Sequence, residues 1–136
     1  MVVVKRALAV LFVLVGGGLA AHFVLDPVLY DWEGGQPALW HVFDWARAVS
    51  LPLAVIATFE AKRRADAGAD ARGYIAANVQ FYLAAALTLL FYWNWVQVGW
   101  AAGEQQPDSQ VWVFIDVVLP VVFVPLGLRL WREAEG

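Results

Sequence analysis

The chain has 136 residues, of which 62% are hydrophobic and only 15% charged, with a formal net charge of −3 and no cysteine. A soluble domain is roughly 45–50% apolar and about 25% charged, so a chain this short has no core large enough to hide the surplus, which must face lipid. The charge balance gives no reason to expect nucleic acid, and the lack of cysteine excludes disulfides, thiolate metal sites and cysteine nucleophiles.

In chain order, four segments reach the ~20 largely apolar residues that a membrane-spanning helix needs: about residues 7–25, 38–59, 74–98 and 111–130. The joins at 26–37, 60–73 and 99–110 are short, which favours antiparallel neighbours. The expected fold is an all-α integral membrane protein, one domain of four helices in an up-down-up-down bundle.

The first segment follows Lys5 and Arg6 and contains ALAVLFVLV and GGGLAA. A basic start, an apolar run and small residues are also the marks of a cleaved signal peptide. Here the apolar character continues through HFVL, which favours a first spanning helix. Gly16, Gly17 and Gly18 allow a neighbouring backbone to approach closely. The second segment opens with LWHVFDWARAV, placing His41, Asp44 and Arg47 at i, i+3 and i+6 on one helix flank. Pro52 is expected to kink it, and Pro120 and Pro125 the fourth. The join ADAGADARG reads as a mobile, solvated loop. Asn78, Gln80 and Thr88 in the third segment read as interhelical hydrogen bonds, each worth about 0.6–2 kcal/mol in a membrane. That segment ends in FYWNWVQVGW, and the fourth carries a solitary acid, Asp116, in VWVFIDVVLPVVF.

Basic residues set the expected direction. Lys5 and Arg6 precede the first span, Lys62, Arg63, Arg64 and Arg72 fill the second join, and Arg129 and Arg132 flank the end of the fourth. The first and third joins hold only acids: Asp26, Asp31, Glu33, Glu104 and Asp108. The positive-inside rule then puts both termini in the cytoplasm of a cell-membrane protein.

Depth sorts the rest. A hydrocarbon span of ~30 Å that starts at Tyr74 ends near Asn94, so Trp93, Trp95 and Trp100 fall at the outer interface, where indoles prefer to lie. Trp32, Trp40, Trp45 and Trp112 map to the same side and only Trp131 to the other. Such one-sided placement exceeds what membrane anchoring needs and suits a packed platform or a subunit interface. His22, His41, Asp44, Arg47, Asn94, Gln97 and Asp116 gather in the same outer third. Ionisable groups at that depth are costly and by default raise a functional hypothesis.

The polar layer admits several chemistries. Asp44 forms an ion pair with Arg47, or lies behind His41 and orients it as a metal ligand; in another arrangement Arg47 instead meets Asp116 across the bundle. Asp116 is either paired or carried protonated. His22 and His41, at similar height on consecutive helices, suit bis-histidine haem ligation, or a copper-like site with Asp44 or Asp116, or plain interfacial packing. No CxxCH or HExxH occurs. The inner halves of the helices offer only Thr58, Asn78, Gln80 and Thr88, too little for a proton or ion path, which argues against a channel or transporter.

Short, aromatic-rich and poor in catalytic residues, the chain resembles small accessory subunits of respiratory or oxygenase complexes. The function expected is therefore a non-catalytic membrane subunit or assembly partner, in contact with the lipid bilayer and with other membrane subunits. The alternatives are a haem- or copper-binding protein using His22 and His41, and a binder of a hydrophobic ring-bearing ligand such as a quinone, pigment or lipid in the outer aromatic layer.

Overall fold

The computed structural model describes residues 1–31, 36–99 and 109–136, with side chains described up to residue 97 in the middle stretch. It is all-helical, with α1 at Val2–Leu29, α2 at Ala38–Asp66, α3 at Ala71–Gly99 and α4 at Ser109–Glu135. All four are long and apolar enough to cross a membrane; at 1.5 Å per residue even the 27 residues of α4 extend about 40 Å.

Each helix outruns the apolar segment that nucleates it. On α2 the flanking EAKRRAD is rich in strong helix formers, and the extension is held by an i, i+4 ion pair between Lys62 and Asp66 at 2.5 Å. The expected mobile loop ADAGADARG is consequently a tight turn of residues 67–70. Gly68 adopts φ 155°, a backbone conformation L side chains rarely adopt. Asp70 caps the next helix, its Oδ1 accepting from the Gly73 amide at 2.9 Å. α1 likewise runs on through Pro27, and α2 and α4 continue through Pro52, Pro120 and Pro125.

The helices form a ring in which α1 packs chiefly on α4 and α2 on α3, with α3 against α4 and α1 against α2 closing it. Residue numbers rise along one member of each pair as they fall along the other: Lys5 meets Glu133 and Phe12 meets Phe123, while Tyr92 meets Ala48 and Phe81 meets Phe59. The fully buried centre comprises Phe12, Leu19, Leu51, Leu87, Phe91, Ile115, Leu119, Phe123 and Leu126. The outside is apolar as well: Leu14, Ile56, Leu89 and Val121 are each more than three-fifths exposed. Water would penalise such a surface, and acyl chains match it.

Two glycines set the α1–α4 distance. A Cβ on Gly16 would lie 2.9 Å from the Phe123 Cβ, and one on Gly127 would lie 2.8 Å from the backbone oxygen of Ala9. Gly17 faces open space and Gly18 only touches the Phe43 ring at 3.6 Å. Of the triplet, then, one glycine permits the close approach, and its counterpart is on α4.

Cross-helix hydrogen bonds are fewer than the polar residues of α3 promised. Gln80 does bridge, its Nε2 donating to the Val122 carbonyl at 3.2 Å. Asn78 donates to Tyr74 of its own helix at 2.9 Å while its side chain also meets Asp66 of α2. Thr88 donates to Ala84, four residues back, at 2.7 Å. A threonine hydroxyl on a helix already has that carbonyl within reach, so it needs no second helix. Tyr92 of the FYWNW stretch supplies a bridge instead, its hydroxyl donating to Ala48 of α2 at 2.6 Å.

Candidate functional site

The densest polar chemistry lies at the end of the bundle where α1 finishes and α2 and α4 begin. Arg47 is 1% exposed, one of the most deeply buried large side chains in the protein. One turn before it on α2, Asp44 accepts from Nη2 at 2.6 Å. From α4, Asp116 accepts from Nη1 through its Oδ1. Three aromatic faces surround the guanidinium, with its carbon 5.1 Å from the Trp112 ring centre, 5.7 Å from Phe91 and 5.8 Å from Trp40. A single cation thus ties α2, α3 and α4 together by charge-assisted hydrogen bonds and ring contacts, in a setting where both are strengthened by the lack of water.

Spacing explains the arrangement. Asp44 and Arg47 share a flank at i, i+3. Trp112 and Asp116 do the same at i, i+4, so the ring that covers the guanidinium and the carboxylate that neutralises it arrive together. Asp44 spends its second oxygen on Gln36, whose Nε2 donates to Oδ2 at 3.3 Å. Asp44 is therefore engaged by Arg47 and Gln36.

α1 contributes an adjoining aromatic box. His22, 6% exposed, packs its ring 4.5 Å from Trp40 and 5.2 Å from Phe43, and its Nε2 lies 2.9 Å from the Tyr30 hydroxyl. Its Nδ1 is buried with no hydrogen-bond partner. Trp40 donates its indole N–H to Asp26 at 2.8 Å, which pins the end of α1 to the start of α2. His41, next in sequence to the inward-facing Trp40, is exposed. Consecutive helical residues point about 100° apart. So the two histidines differ in setting: His22 is enclosed in rings and His41 looks outwards. Among the described residues no group of three His, Asp or Glu side chains converges to hold a metal ion.

The remaining aromatic residues divide between inside and outside. Trp95 stacks on Phe91 at 5.4 Å and meets Trp45 edge-on at 5.1 Å. Trp45 and Trp93 are 62% and 55% exposed. Trp112 is half-buried, Asn94 is fully buried, and Gln97 is half-buried. Trp100, like Trp32, lies outside the described residues.

Sequence reading missed several members of this layer. Asp26 and Tyr30 were counted with the first join, yet Asp26 stands one helical turn beyond His22, a spacing that should have kept it with α1. Phe91 opens the FYWNWVQVGW stretch but was given no role in the polar layer. A second ionic cluster at the opposite end also escaped notice: Lys5 reaches Glu133 at 3.1 Å, and Arg64 and Arg129 reach it at 3.5 Å.

Comparison with known protein families, with characterised proteins and with solved structures yields no match. Function is therefore read from geometry alone.

Proposed function

We propose that this protein is a small non-catalytic subunit or assembly partner of a larger membrane complex, of the respiratory or oxygenase kind that its size and aromatic content resemble. In this reading the four helices cross a cell membrane up-down-up-down, with both termini and the 67–70 turn on the cytoplasmic side and the Arg47 layer near the outer face. The acidic first and third joins against the basic second join and termini support that direction.

The observation that carries the proposal is the outward display of His41, Trp45 and Trp93 around a cation whose charge is neutralised within the chain. Arg47 is neutralised within the chain by Asp44 and Asp116, which makes it a lock between helices. The aromatic side chains left facing outwards are the type that dominates protein–protein contact energies. His41 and Trp45 stand one turn apart on α2, where Trp45 meets the Trp95 ring of α3 edge-on; Trp93 is a further exposed indole on α3.

Photo-crosslinking tests this directly. A benzoylphenylalanine at position 45 or 93 should give one discrete, heavier protein adduct in native membranes, and one at the exposed Leu14 of α1 should not. The proposal fails if all three positions label lipid alone and the chain purifies from native membranes without companions. The cysteine-free sequence also suits topology mapping: Asp31→Cys should react with an impermeant maleimide on intact cells, and Asp70→Cys only after permeabilisation.

A further inference from the structure

At the end of the bundle remote from Arg47, a cavity of about 780 Å³ opens between α2, α3 and α4. Three of its lining residues are arginines, Arg64 on α2 and Arg129 and Arg132 on α4, against one acid, Glu133. Much of the remaining wall is alanine and glycine, among them Ala61, Ala65, Gly73 and Ala76, so no bulky side chain fills the space.

Arg129 is the unusual member. Its Nη1 donates to the Gln80 Oε1 at 2.8 Å, and Gln80 is itself anchored by donating to the Val122 carbonyl. Its Nη2 and Nε are buried and make no hydrogen bond; Nε only stands 3.5 Å from Glu133. A guanidinium has five N–H donors in a fixed fork that matches the oxygens of a phosphate, and buried donors without acceptors are rare. Glu133 gives its Oε2 to Lys5 and Arg64 and turns Oε1 towards Nε without a hydrogen bond, so it leaves Nη2 with no acceptor.

A second hollow of about 770 Å³ runs along the outer surface of α3 and α4, lined by Ile75, Val79, Leu83 and Val121 with Arg72 beside them. It shares Ala76, Gln80 and Pro125 with the first. A basic chamber and an apolar groove therefore adjoin along these shared residues. A soluble anion uses only the chamber; a molecule with an anionic phosphate and an acyl chain uses both.

We propose that chamber and groove form one binding site for an anionic phospholipid, with the phosphate held by Arg129, Arg64 and Arg132 and an acyl chain lying along α3 and α4. The site is independent of the Arg47 layer and of any partner there; it rests only on the membrane-spanning part of the reading above.

Native mass spectrometry of the full chain in detergent, titrated with phosphatidylglycerol or phosphatidylcholine, tests it. Phosphatidylglycerol should bind at least about fivefold more tightly, and Arg129→Gln should remove about fivefold, the effect of roughly one basic residue on an anionic lipid. Arg132→Gln, at an exposed position, should act in the same direction and covers the case in which Arg129→Gln fails to fold. Ala76→Phe, which plugs the junction of the two hollows, should weaken lipid binding while leaving every charge in place. Equal binding of the two lipids, or an unchanged preference in both arginine variants, overturns the proposal. So does full displacement of phosphatidylglycerol by low-millimolar inorganic phosphate, which would reveal a free-anion site. Release of the protein from membranes by alkaline carbonate would instead refute the membrane reading, so the two failures are told apart.

Discussion

Replacing Arg47 with methionine isolates the worth of the charge centre. Methionine keeps much of the length and the apolar stem between Trp40, Phe91 and Trp112, so packing changes little. What remains is a pair of buried carboxylates, Asp44 and Asp116, 7% and 6% exposed, with their shared cation gone. Removing one partner of a buried ion pair costs about 3–5 kcal/mol, chiefly because the charge left behind has no compensation. The triple variant Arg47→Met, Asp44→Leu, Asp116→Leu removes all three charges, and such replacements are often neutral or even stabilising. Gln36, which loses Asp44 as an acceptor, is exposed and hydrogen-bonds to water instead. Unfolding by SDS titration in mixed micelles, followed by helical circular dichroism, should therefore rank Arg47→Met well below wild type and restore most of the loss in the triple variant. If the single variant lay within about 1 kcal/mol of wild type, or the triple were as unstable as the single, a structural lock would be the wrong description.

The two glycine classes on α1 and α4 should respond in opposite directions. Gly127→Ala drives a methyl into the Ala9 carbonyl and the Val13 amide, backbone atoms that cannot rotate away, and should cost about 1–3 kcal/mol in the same titration. Gly17→Ala meets nothing within 4 Å and should be neutral or stabilise by up to about 1 kcal/mol through its better helix propensity. Tyr92→Phe removes the bond to the Ala48 carbonyl and should lower stability by about 0.6–2 kcal/mol. As a non-catalytic subunit the natively purified protein should show no Soret band and no stoichiometric metal; a Soret band lost in His22→Ala would favour the haem reading instead.

Length and composition were enough to predict four apolar helices, because a 20-residue apolar run has almost no alternative conformation in a chain this short. Helix ends were less legible. Charged flanks such as AKRRAD look like loop by hydropathy but are good helix formers, and only the Asp70 cap and Gly68 mark the true turn. For the site, i, i+3 spacing put Asp44 within reach of Arg47, and depth alone brought Asp116 to the same level. Depth does not give rotation, however. His41 and Trp40 sit at nearly one height and face different ways, and nothing in the composition of LWHVFDW says which of them turns to the core. Rotation is decided by which face packs, here by Trp40 docking on His22 and Asp26. The basic-end chamber was illegible for a related reason. Its walls are defined by small residues that leave space, and Ala61, Ala65 and Ala76 look in sequence like any helical alanine.

The two ends of the bundle solve the same electrostatic problem differently, and the difference implies where exchange with other molecules occurs. At the aromatic end, one cation faces two carboxylates; the formal charge of those three groups is −1, and Arg47 has both terminal nitrogens engaged, its buried Nε alone lacking an acceptor. At the basic end, Lys5, Arg64 and Arg129 crowd a single carboxylate, Glu133, and part of the Arg129 guanidinium is left without an acceptor. The first cluster has an excess of acid and the second an excess of base, so an anion is drawn to the second. Arg129 is held at this end by its bond to Gln80 of α3, while Gly16 and Gly127 set the approach of α4 to α1. A protein of this design would be fixed internally at one face of the membrane and completed by lipid at the other, with its outward tryptophans free to seat a neighbour.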